Sequence, residues 1–178
     1  RGWKTIVNEI DKLPGDFVSE KDERISRTCR LLIGMHRPPD DLIKSFYSIN
    51  KNDLIDTESV KKCKRQIANE FRKQLTMGIP TASDEWTLRR LSAQMKEERT
   101  CVKLYLKEPL HAKLYLAYRP DDHFNKIQAI MGSSNLTYSG LSKQGELNAE
   151  FGDSDSAKKL AKWFDDRWED RYCVDITK

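Results

Sequence analysis

The amino-acid sequence predicts an α/β fold in one domain. Segments in which apolar residues recur at helical spacing lie in the first half of the chain and at its end, whereas the alternating or short apolar runs typical of strands dominate the second half. A length of 178 residues, 38% of them hydrophobic, suffices for one sizeable core. We therefore expect residues 1–178 to form a single domain layered as an α/β sandwich, and we expect it to be part of a longer protein.

Three helices are predicted in the first part of the chain. The first begins at Trp3 and is stopped by Pro14-Gly15. A short helix follows Asp40-Asp41 and ends near Ser48. A long amphipathic helix spans Ser59–Met77, with its apolar positions at Val60, Cys63, Ile67, Phe71 and Leu75.

Two more helices follow, each with a candidate N-cap. Ser83 is the expected cap of a helix that carries Trp86, Leu88, Leu91 and Met95. Asp153 or Ser154 is the expected cap of the last helix. Its predicted buried stripe is Leu160, Trp163, Phe164 and Trp168, while Lys158, Lys159 and Lys162 face water.

Strands are predicted in five segments. Thr28–Met35 follows a charged loop and contains a nearly continuous apolar run, which is typical of a central strand. Val102–Leu106 alternates, and the turn at Glu108-Pro109 predicts that this strand neighbours, or forms a hairpin with, the strand that carries His111. The remaining predicted strands are Ile127–Met131 and Glu146–Phe151.

Composition indicates a soluble cytoplasmic protein. No run approaches the roughly 18 apolar residues of a membrane span, and the first residues do not form a signal peptide. The four cysteines are scattered and show no zinc-binding spacing, so we expect core thiols in a reducing compartment, and neither a metal nor another cofactor. They are Cys29, Cys63, Cys101 and Cys173.

Positive charge is unevenly distributed, although the formal net charge is only +4. Six basic residues lie on the predicted helix Ser59–Met77, at Lys61, Lys62, Lys64, Arg65, Arg72 and Lys73. A cluster of this kind can bind phosphate backbones. A solvated helix face explains it equally well on its own, so it favours DNA only in combination with the motif described next.

The most informative motif combines a strand with a turn. Apolar residues alternate from Leu110 to Leu116, so His111, Lys113 and Tyr115 share the other face of a predicted strand. The strand Ile127–Met131 then ends at the turn 132–135, Gly-Ser-Ser-Asn, whose hydroxyl, amide and backbone N–H groups suit an anion. A lone His-x-Lys is more often part of a solvated face, and the second segment makes a phosphate site the favoured interpretation.

These residues resemble the signature of the phospholipase D superfamily, in which His-x-Lys is followed at a distance by Gly-Ser-x-Asn. The continuation Asn-Leu-Thr-x-x-Gly-Leu at 135–141 is most similar to the nuclease branch, which includes small bacterial nucleases, metal-independent restriction endonucleases and domains attached to helicase-like proteins. The resemblance covers mainly Leu110–Glu150, and it implies an α/β/α sandwich with a mixed central sheet. Tyr118 stands where many members have an aspartate, which weakens a lipase assignment more than a phosphodiesterase one.

The resemblance also implies a role for each motif residue. His111 would attack phosphorus and form a covalent phosphohistidine. Glu146 would accept from the far ring nitrogen of a histidine, although Glu150 lies on the same face of the predicted strand and alternation cannot separate the two. Lys113, Ser133 and Asn135 would bind the non-bridging phosphate oxygens, and Gly132 and Ser134 of the turn are further expected phosphate-binding residues.

The chain contains one copy of the motif, whereas the reaction needs a second histidine to protonate the leaving oxygen. His36 and His123 are not followed by lysine two residues later. Single-motif members of the family build one active site across a two-fold axis, so we expect a homodimer. A second motif elsewhere in a longer chain is the alternative.

Two classes of function are consistent with this sequence. The first is a metal-independent phosphodiesterase, a DNA endonuclease of restriction or defence type, with DNA favoured over RNA and a helicase domain expected in some full-length contexts. The second is a non-catalytic module that binds nucleic acid or targets an attached helicase. Glu146 favours catalysis, because a carboxylate orients a histidine but weakens simple phosphate binding. Phospholipid cleavage ranks third, since no segment suits a membrane surface.

Overall fold

The computed structural model describes residues 3–13, 17–19, 22–34, 62, 65, 66, 68, 69, 73, 81–119, 126–135, 145–152 and 154–177. The predicted short helix that ends near Ser48 lies outside these residues, as do His36 and His123. Of the predicted helix Ser59–Met77, the six described residues are helical.

The described helices and strands confirm the predicted α/β class. The helices are α1 (Trp3–Lys12), α2 (Ala82–Lys96) and α3 (Ser154–Trp168). The strands are β1 (Phe17–Ser19), β2 (Asp22–Arg27), β3 (Cys29–Gly34), β4 (Thr100–Tyr105), β5 (Leu114–Tyr118), β6 (Ile127–Gly132), β7 (Asn148–Phe151) and β8 (Cys173–Asp175).

One described sheet has the strand order β3-β4-β8. β3 runs parallel to β4, from Cys29 beside Thr100 to Gly34 beside Tyr105, and β8 runs antiparallel to β4. The central strand of this sheet is therefore β4, and the prediction that β3 would be central is wrong for the described sheet. Its core cluster consists of Val102, Leu104, Leu106, Tyr172, Val174 and Ile176.

Two strand regions were missed by the sequence prediction. The expected charged loop before residue 28 contains the antiparallel pair β1-β2. β8 was missed because it has only three residues. The alternation of the buried Tyr172, Val174 and Ile176 is the signal that could have revealed it. A strand this short depends on its neighbour, and antiparallel pairing with β4 supplies the hydrogen bonds that three residues cannot make alone.

Helix α2 begins differently from the prediction. Its N-cap is Thr81, not Ser83, because Thr81 is extended and forms a capping box with Asp84. Ser83 lies in the first helical turn, where its carbonyl accepts from the Thr87 hydroxyl at 2.8 Å. Of the apolar residues expected on this helix, Leu91 and Met95 pack against buried core residues, whereas Trp86 is 50% exposed and Thr87 is buried.

Gln94 joins α2 to α1 inside the protein. It is fully buried; its Oε1 accepts from the Trp3 indole at 3.1 Å, and its Nε2 donates to the Val7 carbonyl at 3.1 Å. A buried amide is stable only when its donors and acceptor are satisfied, and α1 supplies these partners. The predicted helix from Trp3 is confirmed, with Trp3, Val7 and Ile10 buried.

The second described sheet, of order β5-β6-β7, is antiparallel and carries the predicted motif. Helix α3 packs on its central strand, where Ala129 is fully buried. Of the predicted stripe on α3, Trp168 is buried and the other three are half-buried, and the three lysines are exposed as predicted. Ala157 and Ala161 of this helix are buried.

The predicted pairing of β4 with the His111 strand is wrong, because β5 pairs with β6. The segment before β5 instead passes the end of β3: a Cβ on Gly34 would lie 2.0 Å from the Leu110 carbonyl oxygen. Gly34 has no side chain and therefore permits this approach. The contact brings the motif segment beside the first sheet.

Candidate active site

Three strand ends meet at one edge of the second sheet. His111 and Lys113 lead into β5, the turn 132–135 follows β6, and Glu146 precedes β7. The ladder continues past the strands, since Gly132 N–H donates to the Lys113 carbonyl at 3.3 Å and Ser133 N–H donates to the Leu147 carbonyl at 3.1 Å. The predicted site residues therefore lie at a common edge, although they are far apart in sequence.

The predicted strand was expected to carry His111 and Lys113, but β5 begins only at Leu114. The segment runs against Gly34 of β3 before it reaches β6, so it pairs with β6 from Lys113 onward. His111 and Lys113 consequently lie in the irregular segment that precedes β5, not in the strand itself.

His111 and Lys113 form a close pair. His111 is exposed and Lys113 is half-buried. The Lys113 Nζ lies 2.8 Å from Nδ1 and 2.9 Å from Nε2 of His111, and it donates to the His111 carbonyl at 3.1 Å. An ammonium group can only donate and a neutral imidazole has one acceptor nitrogen, so at most one of these two ring contacts is a hydrogen bond, and the tautomer decides which. An imidazole and an ammonium group thus lie side by side at this end of the sheet.

Ser133 and Glu146 are in direct contact. The Ser133 hydroxyl donates to Glu146 Oε2, and it accepts from Leu147 N–H at 3.1 Å. Burial, and secondly the negative charge of Glu146, raise the pKa of the Tyr115 phenol. Glu146 therefore lies against the turn, and its charge acts on the Tyr115 phenol of the motif strand.

Glu150 has different surroundings. It pairs with Ile130 in the ladder and accepts from the Gln128 amide, whose own oxygen accepts from Arg119. This polar chain crosses the sheet away from the turn. Of the two glutamates that alternation could not separate, Glu146 is the one in contact with the Gly-Ser-Ser-Asn turn.

Gly132 and Asn135 mark the two ends of the turn. A Cβ on Gly132 would lie 2.2 Å from Asn148 Oδ1 and 2.3 Å from the Leu147 carbonyl oxygen, so this position requires glycine. Asn135 is exposed, and its side chain is accessible to a ligand at the sheet edge.

Ser134 is placed unlike its neighbours. It is 3% exposed, it exchanges hydrogen bonds with the Asn148 side chain, and its carbonyl accepts from the Tyr115 hydroxyl at 2.9 Å. This geometry favours a structural role over the phosphate contact expected from the sequence. Asn148 and Tyr115 were not predicted as site residues. Both alternate in phase with motif residues, but alternation alone does not show what they contact.

Comparison with known families identifies the family of this chain. A family model described as "cardiolipin synthase, PLD-like domain" matches residues 29–168, which is most of the chain. The chain belongs to this family of phospholipase D-like domains. The family lies in the phospholipase D superfamily of phosphodiesterase-type enzymes, so the predicted superfamily is confirmed. No curated protein and no solved structure matches the chain.

The phospholipase D-like match extends well beyond the motif and includes β3 and α3. These two elements supply the surroundings of Tyr118. The Tyr118 hydroxyl lies 3.5 Å from Arg30 of β3, which also donates to Asp165 of α3. Burial raises the pKa of Tyr118, against the smaller opposing effect of the Arg30 charge. A carboxylate is therefore present here, contributed by α3.

The described residues of this phospholipase D-like chain contain neither a metal-binding cluster of side chains nor a helix able to span a membrane. No group of three or more His, Cys, Asp or Glu side chains is arranged there to hold a metal ion. The helices in the same part of the chain are too short or too polar to cross a bilayer.

Proposed function

We propose that this domain is a metal-independent phosphodiesterase that cleaves DNA, as an endonuclease of restriction or defence type. The observation that carries the proposal is the exposed His111–Lys113 pair at the same sheet edge as the Ser133–Glu146 contact. A nucleophile, a cation, neutral donors and a carboxylate within one edge match the requirements of displacement at phosphorus.

The reaction takes place in two displacements. A ring nitrogen of His111 uses its lone pair to form a bond to phosphorus, and the bond from phosphorus to the leaving oxygen breaks. The leaving oxygen takes a proton from an acid. Water then attacks phosphorus and gives a proton to the conjugate base of that acid, the phosphorus–nitrogen bond breaks, and both the free histidine and the acid are restored. Each step is easier than direct attack of water on the diester.

The surrounding donors stabilise the five-coordinate state. Negative charge on the non-bridging oxygens grows as His111 attacks, so a cation at Lys113 and donors at Ser133 and Asn135 stabilise this state more than the ground state. Ser133 must turn its hydroxyl from Glu146 to phosphate when substrate binds. Glu146 is then free to accept from an imidazole N–H, and this role is the one that distinguishes catalysis from simple binding.

A second copy of the chain would supply the acid. The motif contains one histidine, and the proposed partner's equivalent histidine would protonate the leaving oxygen across a two-fold axis. Large apolar side chains beside the site support such an interface: Leu147, next to Glu146, is 84% exposed, and Met131 is 43% exposed. Burial of these side chains against the partner would bring the two motifs together.

DNA is the proposed substrate rather than phospholipid, although the family description names cardiolipin synthase. Tyr118 replaces the aspartate found in many family members. The described helical residues Lys62, Arg65 and Lys73 are exposed cations suited to a phosphate backbone. We also propose that a longer chain attaches this domain to a helicase, as in similar nuclease-like domains. A binding or targeting module without catalysis is the second candidate.

The test is cleavage of supercoiled plasmid with EDTA present. We expect nicked and linear DNA from the wild type, no product from His111→Ala or Lys113→Ala, and unchanged cleavage from Lys158→Ala, which removes an exposed lysine on α3. A parallel assay measures turnover of phosphatidylglycerol in vesicles. Cleavage that survives His111→Ala contradicts the mechanism, turnover of lipid alone contradicts the substrate, and DNA binding without turnover by the wild type favours the non-catalytic module.

A further inference from the structure

Ser134 of the turn 132–135 forms hydrogen bonds through its N–H, its hydroxyl and its carbonyl. Ser134 N–H donates to Asn148 Oδ1 at 3.4 Å, its hydroxyl accepts from Asn148 Nδ2 at 2.7 Å, and its carbonyl accepts from the Tyr115 hydroxyl at 2.9 Å. Ser134 is 3% exposed, whereas its neighbours Ser133 and Asn135 are exposed. The turn is therefore fixed at its centre and open at both flanks.

The absence of a side chain at Gly132 belongs to the same arrangement. Gly132 pairs with Asn148 in the ladder, and a Cβ there would lie 2.2 Å from Asn148 Oδ1. The glycine thus leaves the space that the Asn148 amide occupies. An asparagine with both ends of its amide engaged with Ser134 has one orientation, because reversing it would place two donors or two acceptors together.

We propose that Asn148, assisted by Tyr115, is a positioning residue that orients Ser133 and Asn135 toward the reacting phosphate; this inference rests on the proposed function. Ser133 and Asn135 are joined directly to Ser134, so holding Ser134 by its N–H, its hydroxyl and its carbonyl restricts the directions that both neighbours can take. Donors that are oriented before the substrate arrives need no reorganisation when charge develops on the phosphate oxygens.

A positioning role changes the rate of chemistry rather than the amount of active protein. Rapid quenching measures both, because the rate constant of phosphohistidine formation reports the geometry and its amplitude reports the fraction of competent molecules. We expect Asn148→Leu, which removes both amide hydrogen bonds at similar volume, to lower the rate constant by about 10- to 100-fold at unchanged amplitude. Ala149→Ser, a change at the adjacent exposed position of β7, should match the wild type.

Asn148→Asp tests the hydrogen bonds themselves. Aspartate still accepts from Ser134 N–H, and the serine hydroxyl can reverse and donate to it, so the rate constant at saturating DNA should return to within about threefold of the wild type. Should Asn148→Leu fail to fold, Ser134→Ala removes only the hydroxyl contact and should lower the rate constant less, by about threefold to tenfold.

Two results would overturn the inference. One is an Asn148→Leu rate constant within twofold of the wild type; the other is a lower amplitude with an unchanged rate constant, which indicates a purely structural role. A wild type that forms no phosphohistidine contradicts the proposed function instead. In that case hydrogen exchange of the Ser134 amide tests the inference. Equal exchange rates in the wild type and Asn148→Leu would show that Asn148 does not hold Ser134.

Discussion

Arg30 on β3 donates a 2.8 Å hydrogen bond to Asp165 on α3. The Arg30 side chain is 12% exposed, and its guanidinium also lies 4.9 Å from the Phe164 ring centroid and 5.6 Å from that of Trp168. Tyr118 of β5 is a further neighbour, at 3.5 Å. Arg30 thus links β3 to both α3 and β5. Its positive charge is balanced by a carboxylate of α3 and not by a residue of the motif strand.

Loss of the Asp165 carboxylate should destabilise the fold. Asp165→Asn leaves a largely buried guanidinium with a weaker acceptor, and we expect a cost of about 1–3 kcal/mol in the free energy of unfolding, measured with urea. Asp166→Asn is the matched control, because Asp166 forms an exposed i,i+4 pair with Lys162 and should cost less than about 0.5 kcal/mol. Equal effects of the two variants would contradict the role given to Arg30.

Gly132→Ala should lower both stability and cleavage. The added Cβ meets the Leu147 carbonyl and the Asn148 backbone, which cannot move without breaking the ladder, so we expect about 1–3 kcal/mol of destabilisation and at least a tenfold slower plasmid cleavage. Gly152→Ala is the control, since no atom lies within 4 Å of its Cβ. Wild-type activity in Gly132→Ala would show that the turn tolerates a side chain.

The proposed dimer should depend on Leu147. Replacing this 84% exposed side chain with glutamine removes apolar area from the proposed interface, and we expect the dimer dissociation constant to rise at least tenfold in sedimentation analysis. Leu13→Gln changes an equally large residue, 46% exposed, at the end of α1 and should leave the dimer unchanged. A monomeric wild type at micromolar concentration would contradict the dimer itself.

Stability should fall at alkaline pH because of Cys29. Burial raises the pKa of its thiol from 9.0 to about 11, so the folded state disfavours the thiolate. The unfolded chain loses this proton first, and the stabilisation present below pH 9 is therefore lost progressively as the pH rises toward about 11. Urea unfolding between pH 8 and pH 10.5 checks this, and Cys29→Ala should have the shallower decline. Parallel curves would show that Cys29 contributes nothing to it.

Local patterns were sufficient for much of the fold. Helical spacing predicted α1 and α3, and the apolar run Ile127–Met131 predicted β6, because burial of one face or of a whole strand leaves a period in the sequence. The Thr81 cap of α2 was missed, since Ser83 has equally suitable chemistry and only the extended backbone at Thr81 with its bond to Asp84 separates the two.

The candidate site was also predictable only in part. The sequence by itself determined which residues could carry the chemistry, because histidine, lysine, serine and asparagine have distinctive donors and their spacing matches a known family. Only the tertiary structure decided that Glu146 contacts Ser133 while Glu150 contacts Gln128, and that Asn148 holds Ser134. These contacts join residues 13 to 22 positions apart. They depend on the register of three strands and on close approach at Gly132, which no local pattern encodes.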